Sequence, residues 1–361
     1  MHVPVIALCV LLAALLPLGC GPVGALSGGA SSNAAADGMR SDPPLVLAEQ
    51  GSFFVHEENI LTRFPSGTGT PVPGHISVRG MYVQYQVPQV RNRRAFPVIL
   101  VHGSGHTGKT YEETPDGRMG WGEYLVRRGI PVYVADHSGR GRSGFDPSPG
   151  NRARLEGDPA RIPSFARFTN EQAWTAFRIG PKPFLPYENT RFPVRARDEY
   201  FAQLVPNTET SYPEGGHHTV EALAALLDRI GPAVVLVHSQ SGAYGIAAAV
   251  ARPDLVKAVV SVEPRSCAVS DGNVQAVFDH VPLLTVFGDF FGADADADWR
   301  VRMAECIDAV SRIRAAGGTA ENLYLPDRGI HGNSHMLMMD GNNLQIADMI
   351  LAWLAENAFR R

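Results

Sequence analysis

Two serines stand two residues apart in Val237-His238-Ser239-Gln240-Ser241-Gly242-Ala243, where a buried-type apolar run ends and a helix-like run of small residues begins. A serine hydroxyl becomes a nucleophile when a sharp strand-to-helix turn holds it beside a general base, and that turn requires small residues two positions before and two after it. Counted from Ser241 the flanks are Ser239 and Ala243, both small; counted from Ser239, one flank is Val237. The flank rule selects Ser241 as the nucleophile, with Ser239 as its competitor.

On such a turn the acid and the base follow the serine in chain order. Gly329-Ile330-His331-Gly332-Asn333-Ser334-His335 offers two bases, His335 at the start of the closing helical region and His331 nearer a strand end. Two acids compete to orient the imidazole and stabilise its charged form. Glu263 ends the run Val259-Val260-Ser261-Val262, and Asp289 ends Leu284-Thr285-Val286-Phe287-Gly288. A developing oxyanion needs two backbone N–H donors. The candidates are Gly242, after the serine, and Ser104 in the loop His102-Gly103-Ser104-Gly105; the Gly-rich turn Asp136 to Gly144 reads as structural.

A rival chemistry is written in Gly103-Ser104-Gly105-His106-Thr107-Gly108-Lys109-Thr110, which matches the phosphate-binding pattern G-x-x-x-x-G-K-[ST] and would make the chain a nucleotide phosphatase. That motif works only when it runs into a helix whose N-terminus cradles phosphate, and Pro115-Asp116-Gly117 follows too soon for a useful helix. No H-E-x-x-H, C-x-x-C or calcium-loop spacing occurs, and His217-His218 reads as a solvated helix start, so neither metal nor organic cofactor is expected.

The elements that must carry these residues alternate. Strand-like runs fall at Ser52–His56, His75–Pro88, Pro97–His102, Pro131–Asp136, Ala233–His238, Lys257–Val262, Leu283–Phe287 and Asn322–Leu325. Most are β-branched and apolar throughout, as strands covered on both faces are. Helix-like runs lie between them at His218–Ile230, Gly242–Ala251, Trp299–Ala316 and Asn342–Ala358, which predicts an α/β fold with a mostly parallel central sheet flanked by helices. The segment 145–216 breaks this rhythm. It is rich in Pro, Arg and aromatics without a strand pattern, and a long insertion of this kind between core strands reads as a lid or pocket wall.

With 32 basic and 36 acidic residues the net charge is −4, which excludes the positive field that nucleic acid requires. Residues 1–25 read as a secretory signal peptide, with an uncharged apolar run from Val3 to Leu18 and a small-residue site at Val23-Gly24-Ala25; residues 26–49 read as a flexible linker and 50–361 as one catalytic domain. Leu18-Gly19-Cys20 also resembles a lipoprotein site, which would anchor the chain to a membrane through Cys20. Of four cysteines, Cys9 and Cys20 fall in the exported segment, which leaves Cys267 and Cys306 to pair in an oxidising compartment.

Taken together, Thr114–Trp121, Asp136–Ser143, His238-Ser239-Gln240-Ser241-Gly242, Ser261-Val262-Glu263-Pro264, Val286-Phe287-Gly288-Asp289 and His331–Met336 resemble a group of bacterial secreted esterases of the α/β-hydrolase superfamily. The resemblance spans nearly the whole body. It implies the α/β-hydrolase fold and a Ser-Glu-His triad, carried over as Ser241, Glu263 and His335, acting on carboxylic esters through an acyl-enzyme. It also supports the pairing of Cys267 with Cys306. Where the family pattern has adjacent cysteines in the oxyanion loop, this chain has Ser104-Gly105. The aromatic insertion suggests a small-molecule ester with an apolar or aromatic portion, and the same triad would also serve an amidase, a lactonase or an acyltransferase.

Overall fold

The computed structural model describes residues 42–63, 70, 72–208, 215–291 and 297–359. The segment expected to be a signal peptide, with Cys20, and the expected linker up to residue 41 lie outside the described residues. The compact body begins at Leu45. Its strands are β1 (Leu47–Val55), β2 (Glu58–Thr62), β3 (Gly74–Val78), β4 (Met81–Pro88), β5 (Val98–Val101), β6 (Val132–Ala135), β7 (Ala233–His238), β8 (Val256–Val262), β9 (Leu283–Phe287) and β10 (Ala320–Tyr324). The boundary expected between residues 49 and 50 falls inside β1, because Leu47–Gln50 already pairs with β4.

Eight strands form one sheet in the order β1-β4-β6-β5-β7-β8-β9-β10. β4 runs antiparallel to both β1 and β6, and every pair from β6 to β10 is parallel. The expected single strand His75–Pro88 is two, broken where Arg79 takes φ +66; β3 turns away to pair with β2 in a separate ribbon.

The helices are α1 (Trp121–Arg127), α2 (Ser148–Leu155), α3 (Asn170–Ala176), α4 (Arg197–Ala202), α5 (Gly215–Ile230), α6 (Gly242–Ala251), α7 (Asp271–Ala276), α8 (Ala297–Ala315) and α9 (Asn343–Asn357). Among the described residues no helix is long and apolar enough to cross a membrane. Every residue of β5, β7 and β9 is buried. Successive side chains of a strand point to opposite faces. Val98, Leu100, Val234 and Leu236 thus join one core with α1 and α9, while Ile99, Val101, Val235 and Val237 join a second with α5, α6 and α8. Two covered faces explain why these strands read as continuous apolar runs.

The insertion carries α2, α3 and α4. Its Trp174, Phe177, Phe192, Tyr200 and Phe201 are buried in the first core, so the segment is seated on the body.

Candidate active site

β7 ends at His238, and Ser239 follows with φ +55, one of the few residues other than glycine in the left-handed region among those described. That conformation sharply reverses the chain between a strand and the next helix, and a non-glycine residue holds it only where the surrounding structure compels it. Ser239 is therefore the elbow. Ser241 is not: it has ordinary helical angles, φ −74 and ψ −2, and caps α6.

The surroundings of Ser241 differ from those expected of it. Its Oγ donates to the His102 carbonyl at 2.5 Å and so accepts from His137 Nε2 at 2.7 Å, with the side chain fully buried. Neither partner is the expected base. The flank rule misled because it describes a contact between strand and helix, and the helix satisfies it here. A Cβ on Gly245 of α6 would stand 3.0 Å from both methyls of Val237, so a glycine further along provides the room.

Glu263 and His335 meet as expected. His335 Nδ1 lies 3.0 Å from Glu263 Oε2, both side chains fully buried, while His335 Nε2 has no hydrogen-bond partner. His238 is bound to the same residue, its Nε2 donating to the His335 carbonyl at 3.0 Å with the two rings 4.7 Å apart. Ser239 is covalently next to His238. Phe177 stacks on the His335 ring at 5.6 Å, and its carbonyl accepts the His335 backbone N–H at 3.0 Å.

Asp289 and His331 belong elsewhere. Asp289 Oδ2 accepts from the Gly332 N–H at 2.9 Å and faces His331, whose side chain is 63% exposed. This pair shapes the loop that delivers His335. Asp340 completes that loop, taking hydrogen bonds from Ser334 N, Ser334 Oγ and Asn333 Nδ2 within 2.7 to 2.9 Å.

Burial pushes the Glu263 carboxyl up, but the Arg178 guanidinium and His335 more than offset this and hold it below the usual carboxylate range. Burial pushes His335 below the ordinary histidine value, against the opposing pull of Glu263. His335 is thus a neutral base with an ionised acid behind it. Burial also drives His102 to about 3, so it stays neutral where its ring stacks on His137 at 3.9 Å.

Sequence reasoning gave Arg178 no role. It comes from the insertion, at φ +50, and donates from Nη2 to Glu263 Oε1 at 2.6 Å and from Nε to the Asp289 carbonyl at 3.0 Å. A buried carboxylate needs such a partner, which is the one signal that hints at it.

Ser104 lies where expected, but Gly242 does not donate into the site. Its N–H closes a tight turn onto the Ser239 carbonyl. Gln240, the residue after Ser239, has its Oε1 accepting from Ser104 Oγ at 2.8 Å and from Arg140 Nη2 at 3.1 Å. Arg140 also donates to the Gly103 carbonyl at 2.7 Å, so the turn read as merely structural supports this loop. Gly103 must be glycine: a Cβ would stand 2.8 Å from the Cβ of Ser239. The insertion fastens the other side, as Gly105 donates to Asn207 Oδ1 at 2.6 Å and accepts from the Val205 N–H at 2.9 Å.

The phosphate-loop reading fails on geometry. Gly108–Tyr111 is a short 3-10 turn, and the N–H groups that would cradle phosphate are taken: His106 by Gly103, Gly108 by Asp136 and Thr110 by Thr107.

Against solved structures, the chain is 40% identical to a protein described as a novel bacterial esterase, with a TM-score of 0.82 over 88% of this chain and 98% of that one. The chain belongs to the esterases of the α/β-hydrolase superfamily. Like its relative, the esterase carries its fold over nearly the whole body, and it is a carboxylic ester hydrolase. It is also 28% identical over 323 residues, 76% of this chain and 85% of the relative, to "Probable secreted lipase phiG" of Fungal sp. (strain ATCC 74256). No family model matches the esterase. Its Cys267 and Cys306 form the expected disulfide.

Proposed function

We propose that the esterase acts through Ser239, His335 and Glu263, with the backbone N–H groups of Ser104 and Gln240 receiving the oxyanion. One observation carries the reading: a left-handed serine follows β7 directly after His238, and His238 is bonded to the carbonyl of a histidine whose Nδ1 is held by a buried carboxylate and whose Nε2 is unengaged. Ser239 Oγ attacks the ester carbonyl carbon as its proton passes to His335 Nε2, and Glu263 stabilises the imidazolium. The carbonyl π electrons move onto oxygen, where two preorganised donors are worth several kcal/mol to the transition state. When the tetrahedral intermediate collapses, the bond to the alcohol oxygen breaks and His335 returns the proton to that alcohol. Water then gives a proton to His335 and attacks the acyl carbon, releasing the acid and restoring Ser239.

A cavity of about 710 Å³ supports an ester with an apolar or aromatic portion, because Phe168, Tyr187 and Trp299 line it together with Arg178. It adjoins the triad. Trp299 lies 4.5 Å from the His335 ring, and Phe168 packs against Gly105 of the oxyanion loop. The insertion 145–216 supplies most of this lining, which supports its reading as a pocket wall.

We also propose export, with residues 1–25 as the leader; the disulfide and the relative named as secreted support it. Lipid attachment at Cys20 is the finer form of this proposal. The intact mass of protein purified from its host separates a free N-terminus near residue 26 from a lipidated Cys20.

The deciding experiment compares Ser239→Ala with Ser241→Ala on p-nitrophenyl esters from acetate to decanoate, and maps a fluorophosphonate adduct by peptide mass. Ser239→Ala is expected to lose about 10⁴-fold or more in kcat, with the adduct on Ser239 in the wild type. An adduct on Ser241 would overturn the assignment.

A further inference from the structure

We propose that the esterase carries a divalent zinc-class site, remote from the triad, formed by His56, His218 and Glu221. His56 is the turn residue just after β1, with φ +61, and His218 and Glu221 occupy the opening turns of α5. His56 Nε2 lies 3.1 Å and His218 Nδ1 3.2 Å from the same oxygen, Glu221 Oε2. All three ligand atoms fall within 4.8 Å of one another. Four ligands at zinc's usual bond lengths of about 2.0–2.1 Å stand roughly 3.3–3.4 Å apart along each tetrahedral edge, and two of the three edges already come within about 0.3 Å of that. The third, between the two imidazole nitrogens, is no longer than 4.8 Å.

The donor set selects the ion. Two imidazoles and one carboxylate suit zinc and its late first-row neighbours, whereas magnesium and calcium prefer oxygen throughout. The ligands are neither sealed nor loose: the side chains of His56, His218 and Glu221 are 24%, 13% and 37% exposed, which leaves an entry path and room for a water as fourth ligand. His217 Nε2 meets the other carboxylate oxygen at 3.1 Å and holds the plane of Glu221, the outer-shell contact that metal-binding carboxylates use. The reading of His217-His218 as a plain helix start had no means of seeing His56, which is more than 160 residues away in sequence.

Bound zinc would cross-link the edge strand β1 to α5, the helix that leads into β7 and its elbow. It takes no part in ester hydrolysis. The test strips the esterase with EDTA and titrates it with zinc chloride by calorimetry and thermal melting, with magnesium chloride as the control cation. One zinc per chain with Kd at or below about 10 µM is expected, and a zinc excess of 100-fold over Kd should raise Tm by about 4 °C or more. His218→Ala and Glu221→Gln should each weaken binding more than tenfold, while His280→Ala, at an exposed histidine elsewhere, leaves it unchanged. Turnover of p-nitrophenyl butyrate without zinc should match wild type in all three, which establishes that they are folded; His56→Gln replaces any that is not. Weaker binding than about 100 µM, an equal response to magnesium, or affinity that survives both ligand substitutions would overturn the proposal.

Discussion

Arg178 Nη2 and Glu263 Oε1 form an ion pair of 2.6 Å in which neither side chain is more than 3% exposed. One partner comes from the insertion and the other from the end of β8, so the segment that walls the pocket also sets the charge of the acid behind His335. Removing one member of a buried pair strands the other. Arg178→Gln is expected to lower kcat about 10- to 100-fold with KM little changed. Because the Arg178 charge itself lowers the His335 pKa, the acid limb of kcat/KM should move to higher pH in the variant. A pH profile that falls in height without moving would show that Arg178 serves packing alone.

In the wild type the same profile has a definite sign. As the proposed base, His335 must be neutral, and its burial places its pKa below the ordinary 6.5. Activity should therefore hold as pH drops through 6.5 and reach half its plateau only at lower pH. Stopped assays with a non-ionising ester, read by titration of released acid, check this without the interference of p-nitrophenol.

The elbow depends on Gly245 giving way to Val237. Gly245→Ala would ordinarily stabilise a helix, yet its Cβ falls 3.0 Å from both valine methyls. A net loss of about 1–3 kcal/mol is expected from overpacking, together with reduced kcat as Ser239 shifts. The double variant Val237→Ala/Gly245→Ala should recover part of both, and urea unfolding of the four proteins measures the coupling.

Cys267 and Cys306 are 39 residues apart and bonded, and Glu305 Oε1, beside Cys306 on α8, accepts the Cys267 N–H at 2.8 Å. Closing a loop of that length is worth about 3–4 kcal/mol on chain entropy. Cys306→Ala should melt about 5–10 °C lower by calorimetry while retaining ester turnover at 25 °C.

Asp340 holds the loop of His335 from beneath, and burial raises its carboxyl to about 7 against three hydrogen bonds. A carboxyl raised in the folded state favours folding while protonated, and this contribution fades as pH climbs from its unfolded value toward 7. The Tm of the wild type should fall relative to that of Asp340→Asn between pH 4.5 and pH 8. A difference that stays constant across that range would assign Asp340 a purely hydrogen-bonding role.

The apolar runs at β5, β7, β8 and β9 and the helix Gly242–Ala251 were legible in the residues, because burial on two faces and a strand-turn-helix junction are local properties that composition records. The disulfide partners were legible too, by their number. The choice between Ser239 and Ser241 was not: it rests on one backbone angle and on Gly245, which reaches Val237 only once α6 has folded over β7. Nor was Glu263 separable from Asp289, or His335 from His331, by pattern within the chain, since each pair ends a similar strand or shares a loop. Tertiary structure separates them by burial, sealing Glu263 and His335 together and leaving His331 with Asp289 at the surface. Arg178 and His56 lay furthest from view. Each acts through a partner that sequence places at least 85 residues away, and only the folding of the chain brings such charges within a few ångströms.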